Sequence, residues 1–269
     1  MRTAAVIGAN GFLGHSIVQK LLHKKLKVIA VYNLNSININ PKANLVNKDV
    51  FLESTFDIDY IYFTCGSYSN SYSQLLNINK ELFFYIQKYP SAKFIYISST
   101  NVYGDHTSDI NELSCFNKPN AYGMFKLAGE FLISSLDNFS IIRFTYLYGP
   151  GIMNKSFLPT IIRSAKERSE IILFGRGERY QDYLYIDDAV EFCYRCSNIK
   201  ENRIYLAASG RKTTNKEVAI SISKNINCKI KYKDVEKASS YGFDPSKTFD
   251  FLKWRPSTDF TDGLMKMIR

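Results

Sequence analysis

The chain has 269 residues, 45% of them hydrophobic and 22% charged, with a formal net charge of +10. That length and apolar content suffice for a buried core in one large domain or one and a half, which excludes a disordered chain, and no apolar run reaches the ~18 residues of a membrane span. Met1 to Gly14 lacks the basic region, apolar stretch and cleavage site of a secretory signal, so a soluble, cytoplasmic protein with no membrane partner is expected.

Thr3 to Ile7 is a short apolar, partly β-branched run that ends in glycines, and Leu13, Ile17, Val18, Leu21 and Leu22 follow at helical spacing. This predicts a strand, a turn and a helix. Val28 to Tyr32, Tyr60 to Thr64, Phe94 to Ser98 and Ile141 to Thr145 are further apolar runs separated by longer polar or helix-patterned segments. Buried parallel strands are expected, in a doubly wound α/β sheet of Rossmann type. Beyond Tyr148-Gly149-Pro150-Gly151 the pattern is less regular, with a helix over Phe157 to Lys166, a strand near Ile171 to Phe174 and a helix near Asp259 to Met267. A small, mixed C-terminal lobe is expected there. The division is then 1–150 for a dinucleotide, with about 182–207 returning to that domain, and 151–269 mainly for substrate.

The 35 Lys and Arg are scattered, with no long basic run and no RNA-binding signature among the 19 Tyr and 19 Phe, so they read as a solvated surface and no nucleic-acid partner is expected. Five cysteines read as reduced thiols. Cys193 and Cys196 form a C-x-x-C inside an apolar stretch, with no second pair and no neighbouring histidine, which fits a helix packing its thiols; no metal is expected.

The first motif is Gly8-Ala9-Asn10-Gly11-Phe12-Leu13-Gly14, between the first strand and the first helix. Gly8 permits the tight turn, Gly11 lets backbone approach a pyrophosphate, Gly14 lets helix and strand pack closely, and the helix N-terminus offers N–H groups to the phosphates. A dinucleotide cofactor follows. About 20 residues on, a carboxylate at the end of the second strand would hold the adenosine ribose of NAD. Here that place reads Val31-Tyr32-Asn33, with no arginine beside it and Lys42 within reach, so NAD and NADP both stay open.

The second and third motifs are Ser98-Ser99-Thr100-Asn101-Val102-Tyr103-Gly104 after the strand Phe94 to Ser98, and Tyr122-Gly123-Met124-Phe125-Lys126 on the next helix. Four residues apart puts Tyr122 and Lys126 on one helical face, where a lysine and a bound oxidised nicotinamide favour the phenolate and make Tyr122 a general acid/base. Ser99 is placed to hydrogen-bond the reacting oxygen, and Lys126 to grip the nicotinamide ribose.

With these motifs the chain resembles the extended short-chain dehydrogenase/reductase family, in the nucleotide-sugar branch of epimerases, 4,6-dehydratases and 4-ketoreductases. Further matching marks are Asp49-Val50, Asn77, Arg143 with Tyr148-Gly149-Pro150-Gly151, Asp182-Tyr183 with Asp187-Asp188, and Trp254-Arg255-Pro256. The resemblance implies a catalytic Ser99, Tyr122 and Lys126. It implies NAD(P)(H) contacts along Gly8, Asn10, Gly11, Phe12, Leu13 and Gly14, at Tyr32 and Asn33, at Asp49 and Val50 beside the adenine, at Thr64, Cys65 and Gly66, and at Tyr122 and Lys126. It also implies a homodimer through the helices near Ser73 to Tyr89 and Ala121 to Ser135.

The departures bear on the reaction. In dehydratases of this branch an Asp-Glu pair follows the triad Ser or Thr; here Thr100 and Asn101 stand there and cannot supply carboxylate acid/base chemistry. At two places where epimerases contact the substrate diphosphate, with Asn and Arg, this chain has Tyr146 and Gln181, with Arg176 and Arg179 nearby to supply positive charge. Thr100, Asn101, Tyr146, Arg179 and Gln181 are thus the expected substrate contacts. The expected function is reduction of the 4-keto group of a nucleoside-diphosphate 4-keto-6-deoxy sugar, with Tyr122 as general acid. The alternatives are a nucleotide-sugar 4-epimerase with tightly bound NAD, and a non-catalytic cofactor-sensing or RNA-binding protein.

Overall fold

The computed structural model describes residues 1–67 and 71–269. The chain opens with β1 (Thr3–Ile7), α1 (Phe12–His23), β2 (Lys27–Tyr32), β3 (Asn44–Asn47) and α2 (Lys48–Glu53). It continues with β4 (Tyr60–Phe63), α3 (Tyr72–Lys88), β5 (Lys93–Ser99), α4 (Ala121–Ile133) and β6 (Phe139–Phe144). Next come β7 (Tyr146–Tyr148), α5 (Phe157–Arg168), β8 (Glu170–Phe174), β9 (Tyr180–Gln181), β10 (Tyr183–Tyr185), α6 (Ile186–Ser197) and β11 (Arg203–Ala207). The last elements are β12 (Thr213–Thr214), α7 (Asn215–Ser223), β13 (Lys229–Lys233), α8 (Ser246–Leu252) and α9 (Phe260–Ile268).

The chain divides into two compact units, one of residues 1–104, 115–144 and 187–207, the other of 105–114, 145–186 and 208–269. In the first, seven strands form one sheet in the order β11-β6-β5-β4-β1-β2-β3, and every pairing is parallel. This is a Rossmann sheet. The apolar runs become inner strands because both faces of a doubly wound sheet are covered: all four residues of β4 are buried, as are six of the seven in β5. On one face Ala5, Ile7, Phe63 and Tyr96 pack against Phe51 of α2, Leu82 and Tyr85 of α3 and Ile133 of α4. On the other, Phe192 of α6 meets Phe144 and Tyr205 edge-on, and an ion pair of 2.6 Å joins Lys20 of α1 to Glu191 of α6. Cys193 and Cys196 are buried within α6, and burial pushes the Cys193 thiol up.

β3 has no apolar run to announce it. It is an edge strand with only Val46 buried.

In the second unit β7 pairs with β10 and β8 with β13 in parallel, while β9 pairs with β12 antiparallel. Tyr148, Tyr183 and Phe260 pack edge-on and tilted at ring-centroid distances of 5.2 to 6.1 Å, which seats α9 on the β7–β10 pair. Residues 105–114 and 145–150, expected within the dinucleotide domain, join this unit. Ile110 bridges to Phe243, the Thr248 amide donates to Glu112 at 3.0 Å, and Tyr146 to Tyr148 form β7 beside β10. Among the described residues no helix is long and apolar enough to cross a membrane.

Candidate active site

The glycine motif forms the β1–α1 turn. Gly8 has φ +87°, a left-handed conformation that a side chain would strain, and a Cβ on Gly14 would lie 2.2 Å from the Gly8 carbonyl oxygen. Helix α1 therefore approaches the strand end as only glycine allows. The Gly8 and Ala9 amides both donate to the Val31 carbonyl, at 3.1 and 3.0 Å, and the Thr64 hydroxyl donates to the carbonyls of Ile7 and Gly8 at 2.8 and 3.2 Å. The turn is thus pinned from β2 on one side and from the end of β4 on the other. Thr64 holds the turn, and Leu13 is in the core, so any cofactor contact at 13 is through backbone.

At the start of α1 the N-cap is Gly11, which has no side chain to cap the helix, and no acidic residue lies in the first turn. The N-terminal N–H groups and the positive end of the helix dipole are left for an anionic group, with no Cβ in the way, so these residues fit a dinucleotide pyrophosphate.

Asn10 and Asn33 are exposed and Tyr32 is half-buried. Asp49 and Val50 occupy the exposed first turn of α2, capped by Asn47, whose side chain accepts from the Asp49 amide at 2.9 Å and donates to the Asn33 carbonyl at 3.0 Å. Lys42, expected within reach of the adenosine ribose, lies at the opposite end of the sheet. Asn44 pairs with Ile29 and Asn47 with Tyr32, so residue 42 precedes the N-terminal end of β3; it lines a cavity of about 450 Å³ with Met1, Thr3 and Lys27. The loop after β2 has to return the whole length of the sheet before a parallel β3 can begin.

Helix α4 delivers the Tyr and Lys. Asn120 caps it by accepting from the Gly123 amide at 2.9 Å, which sets Tyr122 in the first turn and Lys126 one turn on. A Cβ on Gly123 would lie 2.2 Å from the Asn101 carbonyl oxygen, so the start of α4 touches the turn that follows β5. In that turn Ser99 Oγ accepts from the Asn101 amide at 3.2 Å. A Cβ on Gly66 would lie 3.4 Å from Lys126 Nζ and 3.7 Å from the Tyr122 hydroxyl, which brings the end of β4 to the same place. The Ser99 turn and the start of α4 thus meet at a backbone contact, at Gly123, that tolerates no extra carbon, and Gly66 lies in ordinary contact distance of the Lys126 and Tyr122 side chains.

Lys126 is buried, and its ammonium donates to the Ile97 carbonyl at 2.7 Å and the Cys65 carbonyl at 3.1 Å, 5.9 Å from the Tyr122 ring centroid. Loss of water around it pulls its pKa down to about 8, against the opposing pull of Cys65 and Glu130. Burial pushes the Cys65 thiol up to about 12, which makes it a poor nucleophile.

One arrangement escaped the sequence reading. Glu130 lies one turn beyond Lys126 and pairs with Arg143 through contacts of 2.6 and 2.9 Å, with both side chains buried, while Ser98 donates to Glu130 at 2.5 Å. Tyr103 and Phe116 flank the guanidinium at 4.8 and 5.2 Å from their ring centroids. Tyr122, Lys126 and Glu130 at four-residue spacing were the available signal. Thr100 is buried beside this turn and Asn101 is half-buried.

In the second unit Tyr146 is exposed, with its ring 6.2 Å from that of Tyr183, and Arg179 is half-buried. Arg179 Nε and the Tyr183 hydroxyl are buried with no hydrogen-bond partner among the described residues, and the Arg179 charge acts on the phenols of Tyr183 and Tyr241. Gln181, expected to touch substrate, is instead buried in β9, and its amide reaches Asn215 at 3.4 Å. Asp182 accepts from Thr145, Ser209 and the Gly210 amide and so ties the unit's own segments together.

A glycine turn open to phosphates on a Rossmann sheet, beside an assembled Ser, Tyr and Lys, defines a dinucleotide-dependent oxidoreductase scaffold. The model of the NAD dependent epimerase/dehydratase family matches residues 4–208, and the chain belongs to that family. It is 25% identical to a putative UDP-glucose 4-epimerase of Methanocaldococcus jannaschii, over 98% of this chain and 96% of the relative. It is 27% identical to a dTDP-4-dehydro-6-deoxyglucose reductase of Escherichia coli, over 72% of this chain and 67% of the relative. A UDP-glucuronic acid 4-epimerase from Bacillus cereus, solved in complex with NAD, shares the fold with a TM-score of 0.83 at 20% identity, over 99% of this chain and 97% of that one.

Proposed function

We propose that the protein reduces the 4-keto group of a nucleoside-diphosphate 4-keto-6-deoxy sugar. The carrying observation is the turn after β5: it presents Ser99 beside Tyr122 and Lys126 but follows Ser99 with Thr100 and Asn101, and Glu130 is consumed by Arg143 and Ser98. No carboxylate of this turn is available to eliminate water, which leaves the triad hydride chemistry at a carbonyl, and of the hydride reactions we propose reduction.

Gly8 to Gly14, Tyr32, Asn33, Asp49, Val50 and Thr64 to Gly66 would hold the nicotinamide cofactor, which when bound would supply the hydride for C4. Tyr122 gives its proton to the C4 oxygen, so that one hydride and one proton make the alcohol. Ser99 donates a hydrogen bond to the same oxygen and fixes its position. Lys126, with two N–H groups spent on carbonyls, keeps a third for the nicotinamide ribose and holds positive charge beside the phenol.

The second unit is assigned the sugar nucleotide. Arg179, with its unsatisfied Nε, takes the diphosphate in place of the buried Gln181, with Tyr146 of the same unit beside it. Replacing Arg179 by Ala should raise the substrate KM about 10-fold to 100-fold, the worth of a hydrogen bond to a charged group, with unchanged melting temperature. The protein is assigned to the cytoplasm as a homodimer built on α3 and α4.

The test is loss of reduced-nicotinamide absorbance near ~340 nm with purified protein, NADH or NADPH, and a panel of nucleoside-diphosphate 4-keto-6-deoxy sugars. Consumption with one member establishes the reductase. A second reading, 4-epimerase, is favoured by the Methanocaldococcus relative, whose match runs the length of both chains. Interconversion of ordinary nucleotide sugars without added cofactor, and no consumption with the panel, would replace the first reading by the second.

A further inference from the structure

We infer that Asn33 makes the protein indifferent to the 2′-phosphate of its cofactor, so that it takes NADH and NADPH with similar affinity. This rests on the nicotinamide reading of the glycine turn. Because the Gly8 and Ala9 amides bond to Val31, the end of β2 is locked against the phosphate-binding turn, and residue 33 is the first position beyond the strand. Discrimination at such a place is electrostatic: a carboxylate accepts from both ribose hydroxyls and repels a phosphate, whereas a guanidinium or ammonium attracts one.

Neither is present. Tyr32, Asn33 and Asn10 are neutral, and Asn47, which pairs with Tyr32 across the strands, uses its amide on the Asn33 carbonyl and the Asp49 amide. Among the cations that sequence proximity offers, Lys42 is at the far end of the sheet, and Lys48 is held by Glu81 at 2.8 Å, a contact that raises its pKa. Asp49 lies one strand further out, in the first turn of α2, where the helix N-terminus offsets part of its charge. The Asn33 amide can donate to a ribose hydroxyl or to a phosphate oxygen and accept from a hydroxyl, and so serves either cofactor.

The experiment is titration of the full chain with NADH and with NADPH, followed by nicotinamide fluorescence, alongside Asn33→Asp and Asn33→Arg. The expected Kd values for the native protein lie within about tenfold of each other; Asn33→Asp should weaken NADPH by more than about tenfold relative to NADH, and Asn33→Arg should do the reverse. A native preference beyond tenfold in either direction overturns the inference. So does a ratio that neither variant moves, because Asn33 would then not be the determining residue. Binding of neither dinucleotide overturns the nicotinamide reading itself.

Discussion

Tyr122 and Lys126 differ in how their neighbours treat them. Tyr122 is half-buried and open to the site, whereas Lys126 is sealed beneath it with its ammonium on two carbonyls. Tyr122→Phe should keep the ring and its packing, preserve NADH binding, and lower kcat about 10²-fold to 10⁴-fold in the ~340 nm assay. Lys126 also writes a pH signature into stability. Its folded pKa of about 8 lies below the ordinary lysine value, so between the two the unfolded chain holds a proton that the folded chain has released. Raising the pH through that window stabilises the fold; below it both states hold the proton and the burial penalty is fully present. Urea unfolding of the native protein and of Lys126→Met should show the native protein gaining about 3 kcal/mol on the variant between pH 7.5 and 10.5. A difference flat across that range would mean the ammonium is not buried as described.

Between residue and molecule stand the packed elements, and α4 is the one on which the site turns. Its start abuts the Asn101 carbonyl through Gly123, so Gly123→Ala must push the helix from the Ser99 turn. An extra methyl in such a contact costs about 1–3 kcal/mol, and an ångström of displacement costs on the order of 10²-fold in rate. The variant should therefore lose far more kcat than melting temperature. Helix α2 is held differently. Phe51 is fully buried, with ring centroids of Phe56, Tyr89 and Tyr85 at 5.3, 5.5 and 5.8 Å. Phe51→Ala should cost about 3–5 kcal/mol in urea unfolding. What could be read in advance divides along the same lines. Inner strands such as Tyr60 to Phe63 announce themselves because both their faces are buried, and the glycine turn because three glycines at three-residue spacing have one geometric use. β3 could not, since an edge strand buries one side chain of its four. Lys42 misled because distance along the chain says nothing of which end of a parallel sheet a residue reaches. Glu130 and Arg143 were each visible as charges, but their pairing exists only once β6 lies beside β5.

For the whole molecule, the surface of α3 and α4 is the main unexplained expense. Tyr72 and Leu76 are 70% and 68% exposed on α3, and Met124 and Phe131 are 54% and 69% exposed on α4, at spacings that put each pair on one helical face. Two packed helices with that much outward apolar surface suit a self-complementary contact between copies. Phe131→Glu should convert a dimer to a monomer in sedimentation velocity, and a native protein that sediments as a monomer would remove the homodimer from the proposal.

The buried pair of Glu130 and Arg143 has a consequence for descent. Loss of either partner alone strands a charge in the core at about 3–5 kcal/mol, against a total stability for a domain of about 5–15 kcal/mol. Single steps away from the pair therefore take a large share of that stability, even where a fully apolar replacement of both would be stable. The two residues are thus replaced at far lower cost together than one at a time, which couples two positions 13 residues apart in the chain.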